Sequence, residues 1–178
     1  MSFYQNLYDN LKRHLETEGL IDSYFPECID VEEYWPAIEK AYMPDGLKEF
    51  AEYPVSSIGW PMFIGMAMAK FWDVDWTKYS ALTGEQIYHS LRDARGYDSM
   101  DDYILEDILG LPEKEASEEA DRVSKCASIA YHDLMAAHIQ PSTAQALEAY
   151  RDTIKALYMM GVAMELKSLG YKMTKMGE

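Results

Sequence analysis

Positive charge, cysteine, strand-like alternation and catalytic signatures are all scarce in this chain. Its 16 Lys and Arg residues stand against 31 Asp and Glu, for a formal net charge of −15. The basic residues are scattered, and the densest group, Lys167, Lys172 and Lys175, lies at the C-terminal end. A nucleic-acid ligand requires clustered Lys and Arg to release its counterions, and anionic lipid surfaces ask for the same. The sequence therefore predicts neither nucleic acid nor membrane as a partner. Cys28 and Cys126 are the only cysteines, which is no disulfide framework and lacks zinc spacing. The N-terminal "MSFYQNLYDNLKRH" has no basic stretch followed by an apolar one. No signal peptide is expected, and a reducing cytoplasm is the expected compartment.

The glycine-rich nucleotide motifs G-x-G-x-x-G and G-x-x-x-x-G-K-[ST] are missing, as are the hydrolase elbow G-x-S-x-G and the zinc motif H-E-x-x-H; each chemistry needs its own spacing. The E-x-x-H pair of ferritin-like di-iron bundles is also absent. No cofactor is expected. No run of alternating β-branched residues bounded by turns reads as a strand, no fixed-period repeat suggests a solenoid, and no low-complexity linker divides the chain. Residues 1–178 are read as one domain, a length sufficient to bury a core without staples.

What is present is helical punctuation. Phe3, Leu7, Leu11 and Leu15 recur every fourth residue, with Gly19 as the stop. Asp30 can cap a short helix carrying Val31, Tyr34, Trp35 and Ile38, with Pro36 in its first turn. Pro44, Gly46 and Pro54 are expected to break the chain around a short helix, Leu47 to Glu52. Thr83 and Gln86 form a capping box for a helix that stops at Gly96, and Ser99 opens another, closed by Gly110. Pro112 stands at a helix start followed by acids that suit the dipole. Ser142 and Gln145 read as a second capping box, and Gly170 as a stop.

Two seams dominate the last third. Ala116, Ala120, Val123, Ala127, Ala130, Leu134 and Ala137 follow a 4-3 spacing, as do Leu147, Tyr150, Ile154, Leu157, Gly161 and Met164. With a break near Gln140-Pro141, this predicts a long antiparallel helical hairpin, 113–139 and 142–169. Its register would set Leu134 against Leu147, Ala127 against Ile154 and Ala120 against Gly161.

The stretch "IGWPMFIGMAMAKFWDVDW", Ile58 to Trp76, holds three of the four tryptophans. Tyr53 to Ala69 carries no charge, at the lower edge of spanning length, but it is interrupted by prolines, serines and glycines. A central buried helix fits better, apolar on all sides, capped by Ser56 or Ser57, with Pro61 in its first turn. Gly65 and Ala69 would lie against a neighbouring helix. Aromatics beside carboxylates can hold a sugar, a cation or a basic peptide. The candidate ligand-binding residues are accordingly Trp60, Met62, Met66, Trp72, Asp73, Asp75, Trp76 and Tyr79. The same residues also suit packing, with Asp73 or Asp75 capping the next turn.

Glu85, His89 and Asp93 are spaced i, i+4, i+8, which could supply part of a metal site. A solvated stripe explains them without further ligands, so no metal is expected. His14, His132 and His138 read as helix-surface histidines, and Cys126 as a small core residue with no base to activate it. Glu165 follows the apolar run Leu157 to Met164, and needs a partner or a raised pKa if it is covered. Fourteen tyrosines and twelve methionines suit adaptable binding surfaces.

The sequence thus predicts an all-α, single-domain helical bundle of about 7–8 helices. The expected role is that of a soluble, acidic, non-enzymatic binding or interaction module, with a protein partner or a second copy of itself. Two alternatives stand beside it: a small-molecule-binding protein with an aromatic and Met-lined pocket, and an enzyme built on carboxylates and His89.

Overall fold

The structure, a computed structural model, describes residues 2–22 and 28–171. Among these residues the chain forms eight α-helices, one 3₁₀ turn and one π turn, and no strand. The helices are α1 (Phe3–Thr17), α2 (Ile29–Glu32), α3 (Trp35–Glu52), α4 (Pro54–Tyr79), α5 (Gly84–Asp93), α6 (Met100–Tyr103), α7 (Glu113–Ala136) and α8 (Ala144–Ser168). The 3₁₀ turn is Tyr97–Ser99 and the π turn Ile104–Ile108. The all-helical class is as the sequence predicts.

The cause of α1 is visible in its residues: Leu7, Leu11 and Leu15 are buried in a row, Ser2 caps the start, and Gly19 leaves it at φ +74°. The capping box of Thr83 and Gln86 opens α5 with both reciprocal bonds in place. Gly96, Gly110 and Gly170 all lie at positive φ beyond helix ends, where a side chain would be strained. Pro112 is the N-cap of α7, with Glu113 and Glu115 in the first turn.

Helix α4 is the centre of the molecule. From Ser57 to Ala69 every residue but Trp60 is buried, so the helix has no solvent face there. It packs most extensively on α8, then on α7 and α3, whereas α7 and α8 touch each other only lightly. The contact with α8 is backbone to backbone. A Cβ at Gly65 would overlap the Tyr158 carbonyl oxygen, and one at Gly161 would overlap that of Met62. Ascending positions on α4 meet descending positions on α8, so the two run antiparallel where they cross. On the α7 side, Gly59 approaches Val123 and Ala127 at about 3.4–3.5 Å from a would-be Cβ. Ala127 from the one seam and Gly161 from the other thus meet α4, and Gly161 lies against Met62, where the expected register set it against Ala120. Gly65 lies against a neighbouring helix, as its lack of a side chain suggested.

Four local expectations are corrected. Helix α3 runs unbroken through Pro44 and Gly46. Pro44 is exposed, and Gly46 is needed for space, since a Cβ there would strike the Tyr42 ring and the Tyr150 hydroxyl. Asp30 does not cap α2: Cys28 is its N-cap. Helix α4 begins at Pro54, which places Ser57 and Pro61 inside it. Proline at 61 cannot bond the carbonyl of Ser57 four residues back, and the Tyr42 hydroxyl donates to that carbonyl instead at 2.6 Å. The last helix is capped by Thr143, whose hydroxyl accepts from Ala146 N, and not by Ser142.

A polar network is built into the core around this site. The Ser57 hydroxyl donates to Gly46 O at 2.6 Å, so its contact with Tyr150 must have the phenol as donor. The Tyr42 proton goes to Ser57 O, so Tyr97 donates to Tyr42. Burial holds the Tyr42 and Tyr150 phenols above their usual ionisation range, and they remain neutral donors at neutral pH. Each buried hydroxyl thereby has a partner, which is what a buried polar group requires.

Candidate binding clefts

Neither of the clefts described below is lined by the eight residues singled out from Trp60 to Tyr79. Met62 and Met66 are completely buried in the core. Trp60 lies edge-on to Phe63 and its Nε1 donates to Tyr97 O at 2.9 Å. The Trp72 Nε1 donates to Asp30, and Asp73 accepts from the Tyr171 hydroxyl at 2.6 Å. Asp75 sits at a break in α4, with φ −161° and ψ 75°. Its Oδ1 accepts from Lys78 N, capping the turn that follows. Trp76 meets Tyr34 edge-on, and Tyr79 stacks on Phe71 with ring centroids 3.9 Å apart. Each of the eight is thus buried or has a ring, capping or hydrogen-bond partner of its own.

Glu85 and Asp93 are exposed and His89 is half-buried on α5. Asp93 is held by Arg92 at 2.7 Å, which lowers its pKa. Among the described residues no three His, Cys, Asp or Glu side chains converge as metal ligands. Arg92 also reaches Asp45, which accepts from the Tyr88 hydroxyl. Burial raises the Cys126 thiol to about 12 and also raises that of Cys28, so neither supplies a thiolate at neutral pH.

A strongly apolar cleft lies elsewhere, where the end of α3, the end of α7 and the start of α8 meet. It encloses about 430 Å³ and is lined chiefly by Leu47, Phe50, Leu134, Met135, Leu147 and Tyr150, with the loop of Ile139 to Thr143 as one wall. No acidic or basic side chain lines it, on a chain with 26% charged residues. Three rim residues are large, apolar and nearly half exposed: Leu47 at 44%, Met135 at 48% and Leu147 at 43%. Tyr150 forms the floor, fixed by Ser57 behind it and by Phe50 edge-on at 5.3 Å. Periodicity did not single out this cleft, although Leu134 and Leu147, expected to face each other across the two seams, both line it. The available signal was Met135, Ile139 and Leu147, large apolar residues crowded about the Gln140-Pro141 break.

A second cleft, of about 480 Å³, is mixed in character. Tyr4 and Tyr8 come from α1, Glu32 from α2, Trp35 from α3, and Lys155 and Met159 from α8. Trp35 is almost fully buried, its ring 4.7 Å from that of Tyr158. Its Nε1 has no hydrogen-bond partner among the described residues.

Glu165 is covered, at 7% exposure, on α8, with Glu119 of α7 and Lys70 and Asp73 of α4 as its charged neighbours. Burial pushes its carboxyl up to about 7, Glu119 adds to the shift, Lys70 opposes it and Asp73 adds further. Glu119 itself is paired with Arg122.

Among the described residues no helix is long and apolar enough to cross a membrane. No known protein family, curated protein or solved structure matches this chain.

Proposed function

We propose that this protein is a non-enzymatic binding module and that the apolar cleft between α3, α7 and α8 is its acceptor surface. The observation that carries this reading is a charge-free lining with three half-exposed rim residues, Leu47, Met135 and Leu147, on a strongly acidic chain. Exposed apolar patches of this kind mark interaction sites. The occupant is an uncharged, apolar stretch of a protein partner, presenting two or three aliphatic or aromatic side chains. Absence of any charged lining residue supports an uncharged occupant, and the open rim supports a segment that continues beyond the cleft. The acidity argues against nucleic acid as that partner, and the two buried, unpaired cysteines agree with a reducing cytoplasm. The reading takes 1–178 as one domain, with 113–139 and 142–169 turning back on each other antiparallel. The short 137–143 connection and the packing of both helices on α4 support that arrangement.

A second reading is a small uncharged ligand, supported by a volume within the range of small-molecule sites. The two are separated by titrating the protein with Nile red and, separately, with a neutral leucine-rich amphipathic peptide. The partner-segment reading expects the peptide to bind and Leu147→Asp to abolish that binding. Binding of the dye alone, lost in Leu147→Asp, would favour the small ligand. Binding of neither probe would sink both.

A further inference from the structure

The mixed cleft carries a separate inference, independent of the apolar one. Its walls are the Tyr4 and Tyr8 rings, with centroids 5.9 Å apart and 37° between planes, and Trp35. The Glu32 carboxylate stands at its side. A cation already occupies the face of one wall: the Lys155 ammonium lies 5.3 Å from the Tyr4 ring centroid. Aromatic faces draw cations through their quadrupole, so the protein itself shows what this surface attracts. Lys155 is exposed, on a long flexible stem that can swing away at small cost. The surroundings are acidic. Besides Glu32, Asp152 lies one turn before Lys155 on α8, and both act on Tyr4, whose phenol is pushed up to about 12 by burial first and by these two carboxylates after it. The nearby Arg151 is taken up by Glu39.

We propose that the cleft of Tyr4, Tyr8, Trp35 and Glu32 is a binding site for a small, free organic cation carrying an alkylated ammonium group, and that Lys155 covers this site in the unliganded protein. A cationic head replaces the Lys155 ammonium on the Tyr4 face, its alkyl groups contact the rings and Met159, and Glu32 balances its charge. Aromatic walls are the recognised means of holding such a group. A volume of about 480 Å³ admits a ligand of that size.

The test compares choline with 3,3-dimethylbutan-1-ol, of nearly identical shape but without charge, by NMR of protein with ¹³C-labelled tyrosine rings. Choline is expected to shift the Tyr4 and Tyr8 signals and the alcohol to leave them. Lys155→Met should tighten choline binding about threefold or more, because the internal competitor is gone, and Glu32→Gln should weaken it by a similar factor. Circular dichroism of both variants establishes that the fold is retained. Phosphatidylcholine vesicles separate a free cation from the same group on a lipid, and they should neither shift the tyrosines nor sediment the protein. Equal shifts from the alcohol, unchanged choline affinity in Lys155→Met, or sedimentation with the vesicles would each overturn the proposal.

Discussion

Replacing Glu165 by Gln should make the protein more stable at alkaline pH and flatten its dependence on pH. The carboxyl is buried and feels the charges of Glu119 and Asp73, with Lys70 the opposing cation. Its pKa rises from the usual 4.5 to about 7 in the folded chain. The folded state therefore holds a proton that the unfolded state releases above about pH 4.5. Stability from this group is fully present below that pH, is lost as pH rises through 7, and stays lost above it. Each pH unit in that span is worth about 1.4 kcal/mol, so the whole difference is on the order of 3 kcal/mol. Glutamine keeps the shape and cannot ionise. The two proteins should have similar stability at about pH 4.5 and diverge steadily between about pH 5 and 7, with the variant ahead by about 3 kcal/mol at pH 8 and the gap constant above it. The assay is urea unfolding followed by circular dichroism at pH 5 to 9 for both proteins. Taking the difference between them cancels the four histidines and the other titrating groups that do not interact with Glu165. Parallel stability curves from pH 5 to 8 would refute the reasoning, because they would mean that Glu165 ionises as freely in the fold as in the open chain.

Gly161→Ala should destabilise the fold by about 3 kcal/mol or more, since its methyl would overlap the Met62 backbone and neither helix can yield alone. Gly59→Ala, whose methyl meets only ordinary contacts near 3.4 Å, should be tolerated within about 1 kcal/mol in the same urea assay. Ser57→Ala leaves the Tyr150 phenol without its acceptor and should cost about 1–3 kcal/mol by the same measurement. Thr83→Ala removes the capping box of α5 and should cost about 1 kcal/mol, read as a lowered Tm. Cys126 should resist a thiol reagent in native buffer and react only on unfolding, because its thiol is buried and its pKa raised to about 12.

Local signals were legible at helix ends marked by glycine and at one capping box, though the caps expected at Asp30, Ser57 and Ser142 fall elsewhere. Gly19, Gly96, Gly110 and Gly170 end helices at positive φ, and Thr83 with Gln86 forms its box, because such features depend on neighbours three or four residues away. Proline was over-read for the opposite reason. Pro44 and Pro61 lie inside helices, and the compensation at Pro61 comes from Tyr42, nineteen positions earlier and on another helix. Periodicity alone cannot show a tertiary partner. The seam of Leu157, Gly161 and Met164 has a helical period whatever it packs against, and the uniformly apolar α4 offered no stripe to claim it. The candidate clefts were harder still. Each is made by residues from three or four elements, and the conspicuous tryptophans were committed to packing, through Trp60 to Tyr97 and Trp72 to Asp30.

The most direct measurement is NMR of the twelve methionine methyls, ¹³C-labelled, during titration with the neutral leucine-rich amphipathic peptide. Met135 stands on the rim of the apolar cleft, whereas Met62 and Met66 lie fully buried in α4. A binding module that uses this cleft predicts a saturable shift of Met135 with Met62 and Met66 unmoved, abolished in Leu147→Asp. A Met135 signal that stays in place while the peptide binds elsewhere, or does not bind at all, would contradict it.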